Sequence, residues 1–147
     1  MNPATAGKLV ATLLIAGLSQ SHAEELPAVD GVWLSGDGDG WIEISATPSG
    51  LSGVISGSPN ASEDRPDMDE KNPDPALRDR PLVGLNLFAG FKYDGDGRWK
   101  GGTIYDPNSG KTYRCIVTVV DVDTLKVRGY IGVPLLGRTE VWTRKKD

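Results

Sequence analysis

The chain has 147 residues, room for one domain, and its 38% hydrophobic and 24% charged residues are those of a globular protein rather than a fibrous or disordered one. Nineteen glycines and ten prolines without a repeat point to many turns and short strands. The net charge of −4 leaves no basic footprint for nucleic acid or anionic lipid.

The first segment has the layout of a secretory signal. Lys8 supplies a positive start, Leu9 to Leu18 is an apolar run, and Ser21-His22-Ala23 places small residues at a cleavage site. Ten helical residues reach about 15 Å against a hydrocarbon core of about 30 Å, which disfavours an integral membrane anchor. No Cys follows the run, which disfavours a lipoprotein. The expectation is a signal over residues 1–23, cleavage after Ala23, and a periplasmic or secreted domain over 24–147.

That removal takes away His22, the only histidine, and with it Ser-His-Asp triads, histidine acid–base chemistry and His-ligated zinc. One cysteine remains, so no intramolecular disulfide forms. Cys115 alternates with Tyr113, Val117 and Val119 and reads as a small buried side chain.

In chain order, strand character falls on Gly31–Ser35, Trp41–Thr47, Leu51–Ser56, Leu85–Tyr93, Trp99–Tyr105, Lys111–Val120, Thr124–Ile131 and Arg138–Arg144. In Trp41–Thr47, Ile42, Ile44 and Ala46 share one face and Glu43, Ser45 and Thr47 the other. Short Gly-, Asp- and Ser-bearing turns separate most of these segments, and Asp-Gly supplies the φ > 0 positions of tight hairpins. About eight strands in an up-and-down antiparallel order close most simply into a barrel, which removes exposed edges and encloses packed side chains or one small ligand.

One stretch breaks the rhythm. Residues 58–81 carry five prolines, many charges and few apolar side chains. A long loop at a barrel mouth and a disordered insertion both fit that composition, which by itself leans toward disorder.

The acidic runs Gly36-Asp37-Gly38-Asp39-Gly40 and Asp94-Gly95-Asp96-Gly97 lack the oxygen set of a calcium loop, because Trp41 stands where a third acid is needed and Arg98 follows the second run. They read as turns, and neither a metal nor a cofactor is expected. Lys126, Arg128 and Tyr130 share one face of Thr124–Ile131, either a solvated outer surface or donors for a polar ligand. If the protein were an enzyme, Asp106, Tyr113, Arg128 and Arg138 would be the cluster to test; no catalytic residue is assigned.

Trp33 in Gly31-Val32-Trp33 and Arg144 at the end of Trp142-Thr143-Arg144 become neighbours if the barrel closes, with the guanidinium over the indole. Gly-x-Trp with a terminal arginine resembles the structural signature of lipocalins and the wider calycin group. The chain as a whole, from about Asp30 to Arg144, resembles a family of secreted bacterial proteins known as a domain of unknown function (family 2147). The likeness rests on Gly31-Val32-Trp33, Lys71-Asn72-Pro73, Arg78-Asp79-Arg80-Pro81-Leu82, Gly84-Leu85, Trp99-Lys100-Gly101-Gly102-Thr103-Ile104-Tyr105-Asp106-Pro107, Gly110-Lys111-Thr112-Tyr113, Leu125-Lys126-Val127-Arg128-Gly129-Tyr130, Gly137-Arg138-Thr139 and Trp142-Thr143-Arg144. It implies a calycin-like barrel in the cell envelope and no particular reaction. It also implies an ordered loop over Asn72–Leu82, folded against the barrel, with Glu63–Met68 left mobile.

Three functions follow as expectations. One is a binding protein for a small apolar or amphipathic molecule, with Arg78, Arg80, Asp106, Tyr113, Arg128, Tyr130 and Arg138 as candidate ligand contacts. A fatty-acid-like amphiphile gripped by Arg78 and Arg80 is the specific form of that reading. The second is an envelope interaction module with a filled barrel and a protein partner. The third is an enzyme of unknown reaction. Trp33, Trp142 and Arg144 are expected to be structural.

Overall fold

The structure is a computed structural model that describes residues 11, 14–17, 26–61 and 67–147. The expected cleavage site after Ala23 lies outside the described residues. Among those described, no helix is long and apolar enough to cross a membrane.

Nine antiparallel strands form one sheet: β1 (Gly31–Leu34), β2 (Trp41–Thr47), β3 (Gly50–Gly57), β4 (Phe88–Ala89), β5 (Lys92–Tyr93), β6 (Arg98–Asp106), β7 (Lys111–Asp121), β8 (Thr124–Tyr130) and β9 (Arg138–Arg144). Their order is β3-β2-β1-β9-β8-β7-β6-β4, with β5 also on β6. First and last strands are therefore neighbours, and Trp33 lies opposite Arg144 in their register.

The expected strand Leu85–Tyr93 is interrupted. Gly90 adopts φ +74°, which breaks the extended backbone between β4 and β5. The ring closes through the segment just before β4. Ile55 N–H donates to Leu85 O (3.0 Å), Leu87 N–H to Gly53 O and Gly84 N–H to Ile55 O (both 2.8 Å). The Asn86 side-chain oxygen accepts from Gly53 N–H (3.0 Å) and Phe88 N–H (3.1 Å), so a side chain completes the ladder where the strand is irregular.

Inward positions obey the period of two read from the sequence: Ile42 and Ile44 on β2, Leu51 and Ile55 on β3, Cys115 and Val117 on β7, Leu125 and Val127 on β8 are all buried. Two glycines admit aromatic rings into this interior. A Cβ on Gly53 would fall 2.7 Å from the Phe88 ring, and one on Gly102 would fall 2.4 Å from Phe91. Phe88 and Phe91 then meet edge-on at 5.2 Å, and Phe88 stacks on Trp142 at 6.0 Å. Together with buried Trp33 and Trp99, these rings fill the barrel below Trp142.

The floor is closed by the chain ends. The Arg144 guanidinium lies 4.3 Å from the Trp33 ring centroid. It donates to the carbonyls of Asp30 (2.7 Å), Ala28 (3.0 Å) and Val122 (2.7 Å). Trp33 Nε1 donates to Val29 O at 2.9 Å, so the indole satisfies its polar atom while buried. The glycine of Gly-x-Trp has a cause here: a Cβ on Gly31 would fall 2.5 Å from Arg144 Nη1, and φ there is +138°.

Candidate functional site

The opposite end is open. A cavity of about 880 Å³ lies between the upper strands and the connections β1–β2, β3–β4 and β6–β7. Its wall is apolar on several sides, with Ile42, Ile55, Leu82, Leu87, Ile104 and Val127, and Trp142 contributes to it. Tyr113, Arg138, Glu140 and Asp106 add polar groups. Strand pairing explains the set: Tyr113 lies opposite Ile104, Arg138 opposite Gly129 and Glu140 opposite Val127, all on inward positions. Gly129 leaves the β8 wall without a side chain at that height.

Glu140 Oε2 accepts from Trp142 Nε1 at 3.1 Å, which joins the cavity to the aromatic plug beneath it. Arg138 is exposed to the cavity and has no carboxylate within ion-pair distance among the described residues. Asp106 is committed to its turn, where it accepts from Asn108 N–H (3.0 Å) and Ser109 Oγ (2.7 Å). Burial, and then the Glu140 charge, push the Cys115 thiol up to about 12, so it stays protonated and unreactive at neutral pH.

The long loop folds over one side of this mouth and is held by a residue that sequence reasoning passed over. Asp69 is 0% exposed. It accepts from Tyr105 Oη (2.5 Å), Asn72 Nδ2 (2.8 Å) and Arg80 Nε (2.9 Å), and forms an ion pair with Arg80 Nη2 at 2.9 Å. Backbone bonds run alongside: Asp69 N–H to Arg80 O and Leu82 N–H to Asp67 O, each 3.0 Å. Burial raises the Asp69 carboxyl, but the hydrogen bonds from Tyr105, Asn72 and Arg80 with the Arg80 charge outweigh it and hold it below the usual range. Burial and the bond to Asp69 push the Tyr105 phenol up to about 12. Lys71 Nζ donates to Asn108 O at 2.7 Å, tying the loop to the β6–β7 turn. Met68 bridges to Pro81, so Asp67 and Met68, expected to move, sit in a paired segment; residues 62–66 lie outside the described residues.

The candidate contacts divide accordingly. Asp106, Tyr113 and Arg138 line the cavity. Arg78 and Arg80 do not, because Arg78 Nε donates to Asn72 O (2.8 Å) and Arg80 serves Asp69; both are parts of the loop's own framework. Arg128 and Tyr130 stand on the outer face of β8, since they alternate with inward Val127 and Gly129. Arg128 is held there by Pro134 O (2.8 Å) and Thr139 Oγ1 (2.6 Å). The four residues singled out for enzyme chemistry are thus not brought together: the β8 wall separates Arg128 from Asp106, Tyr113 and Arg138. The acidic runs act as turns, with Asp37 accepting from Ser35 Oγ (2.5 Å) and Asp39 N–H (3.0 Å), and Asp94 paired with Lys100 at 2.9 Å.

Residues 31–144 match a family described as an uncharacterized protein conserved in bacteria (DUF2147). The chain belongs to this family. Its architecture is also that of a solved structure titled as protein HP1028 from the human pathogen Helicobacter pylori, which belongs to the lipocalin family. The TM-score is 0.72 at 23% identity, over 80% of this chain and 83% of that one, a likeness of fold. No curated protein matches the sequence.

Proposed function

We propose that this family member holds a small amphipathic molecule in the mouth of its barrel, with the apolar part against Leu87, Val127 and Trp142 and the polar end at Arg138 and Tyr113. The observation that carries this reading is the cavity of about 880 Å³ left above the aromatic plug, in the size range of small-molecule sites. Pockets of this kind draw affinity from apolar walls and orientation from a few polar groups. Arg138, with no carboxylate in ion-pair distance among the described residues, is the donor available to an acceptor-bearing head group.

A single-chain amphiphile titrated into the protein should change tryptophan emission through Trp142, with a dissociation constant on the order of micromolar, about −8 kcal/mol. Arg138→Ala should weaken binding roughly tenfold or more, as expected for a charge-assisted hydrogen bond of about 1.5–3 kcal/mol. Arg78→Ala should leave it unchanged. No spectral change up to millimolar ligand in folded protein would favour an interaction module instead.

We propose in addition that the chain is exported, on the strength of Lys8, the apolar run Leu9–Leu18 and Ser21-His22-Ala23. The intact mass of the protein from the envelope fraction should correspond to a chain beginning at Glu24. A full-length cytoplasmic product would overturn this.

A further inference from the structure

The β8–β9 connection is unlike the other turns. Ile131-Gly132-Val133-Pro134-Leu135-Leu136-Gly137 is almost wholly apolar, and its side chains point to solvent: Leu135 is 87% exposed and Leu136 77%. Ile131 and Val133 are exposed as well. Leaving four large apolar side chains on one projecting loop costs solvation free energy with no return inside this chain.

The loop is nevertheless built, not slack. Pro134–Leu136 is a single 3-10 turn, with Gly137 N–H donating to Pro134 O at 3.1 Å. Arg128 reaches up from the outer face of β8 and donates to Pro134 O (2.8 Å) and Leu135 O (3.4 Å). Gly137 lets the returning chain press on Tyr130, since a Cβ there would fall 2.9 Å from the Tyr130 Cβ. The two leucines are thus presented on a hydrogen-bonded, solvent-exposed tip.

The face below the tip has its own charge. Arg114 lies directly opposite Tyr130, Ile116 opposite Arg128, and Lys126 opposite Val141, so these residues share the outer surface of β7, β8 and β9. Thr112, Thr118, Thr124, Thr139 and Thr143 complete the alternation, and the carboxylate that joins them is Asp121, opposite Thr124 at the end of the face away from the tip. None of Arg114, Lys126 or Arg128 is in an ion pair among the described residues. The net charge of −4 is therefore an average over a segregated surface: acids gather at Asp37, Asp39, Glu70 and Asp106 on other sides of the mouth. A sum over the chain hides the basic character of this one face, which holds Arg114, Lys126 and Arg128.

We propose that this edge of the barrel docks on an anionic lipid bilayer, with Leu135 and Leu136 inserted at the headgroup boundary and Arg114, Lys126 and Arg128 over the charged surface. Apolar side chains beside cations, with a tyrosine between them, are the elements by which peripheral proteins sit in an interface. Docking stands on this outer surface alone and does not depend on the cavity being a ligand site. It does set the cavity mouth beside the membrane.

The test is partition of the full folded protein onto vesicles of phosphatidylglycerol and phosphatidylcholine in a one-to-three ratio, measured by flotation against pure phosphatidylcholine. Binding is expected on the anionic vesicles, weakening steeply with salt. Arg114→Gln and Lys126→Gln should each lower the partition coefficient about fivefold, the worth of one basic residue near such a surface. Leu135→Asp with Leu136→Asp should lower it roughly tenfold or more. Both leucines are exposed, so that variant should keep its circular dichroism spectrum and its amphiphile titration. Absence of partition, or partition that the leucine variant does not change, would overturn the proposal. So would a concentration-dependent dimer abolished by the leucine variant, which would assign the tip to contact between copies of the chain.

Discussion

Trp33→Ala is expected to destabilise the barrel by about 3–5 kcal/mol, the range for truncating a fully buried large side chain. The site has little means of collapsing. The indole is buried at the floor, hydrogen-bonded to Val29 O and covered by the Arg144 guanidinium at 4.3 Å. Arg144 is itself fixed by three carbonyls from two separate segments, so it cannot swing into the space left behind. Arg144→Ala should cost less, because it forfeits hydrogen bonds and a cation–π contact but opens no core cavity of comparable size. Chemical denaturation of both single variants and the double variant measures the coupling, which should lie at about 0.5–3 kcal/mol for touching residues. Strict additivity would mean that the two side chains do not act together.

Arg80→Ala is the second large effect, and it acts through Asp69. Removing one partner of a buried ion pair costs about 3–5 kcal/mol because the remaining charge is left uncompensated. Here the lower end is expected, about 3 kcal/mol, since the Arg80 side chain is 36% exposed and Tyr105 and Asn72 still donate to the carboxylate. The loss should appear first as local opening of the loop. The Asp69 amide is bonded to Arg80 O and the Leu82 amide to Asp67 O, so both should exchange with solvent about a hundredfold faster in the variant. Exchange at wild-type rates would show that the loop is held by something other than this carboxylate.

The same group sets the acid limit of the loop. Its folded-state pKa lies below the ordinary 3.8, so the ionised form is the one the fold prefers. Its contribution is complete above that value and is lost as the pH falls through the lower folded one. Tyr105 works in the opposite sense. Its phenol ionises near 12 rather than 10, so the stability it lends is whole below pH 10 and disappears as the pH rises toward 12.

The strands and their closure were legible because they follow from local rules. Ile42, Ile44 and Ala46 alternate with polar partners, short turns force antiparallel neighbours, and a meander that closes must set β1 beside β9. That was enough to bring Trp33 to Arg144. The interruption at Gly90 was not legible, because it depends on Phe88 and Phe91 finding room over Gly53 and Gly102, which are distant in sequence. A glycine in a strand signals close approach without saying of what.

The site was less legible than the fold. Arg138 and Tyr113 were within reach, since inward alternation on β9 and β7 carries them into the mouth. Arg78 and Arg80 stand in the loop's own framework rather than in the cavity wall, and a charged, proline-rich stretch gives no hint of the internal acceptors that hold them there. Asp69 sits in that stretch among other acids, and only the folded loop sets it against Tyr105. On β8 the alternation did separate Lys126, Arg128 and Tyr130 from the inward residues, but not what that outer face is for.

We propose a ligand site in the upper barrel above a filled lower barrel, and a crystal structure of the protein grown with a single-chain amphiphile tests it most directly. Density for the amphiphile is expected between Leu87, Val127 and Trp142, with its polar end at Arg138 and Tyr113. Side chains from the mouth loops occupying that volume, in crystals saturated with the amphiphile, would contradict it.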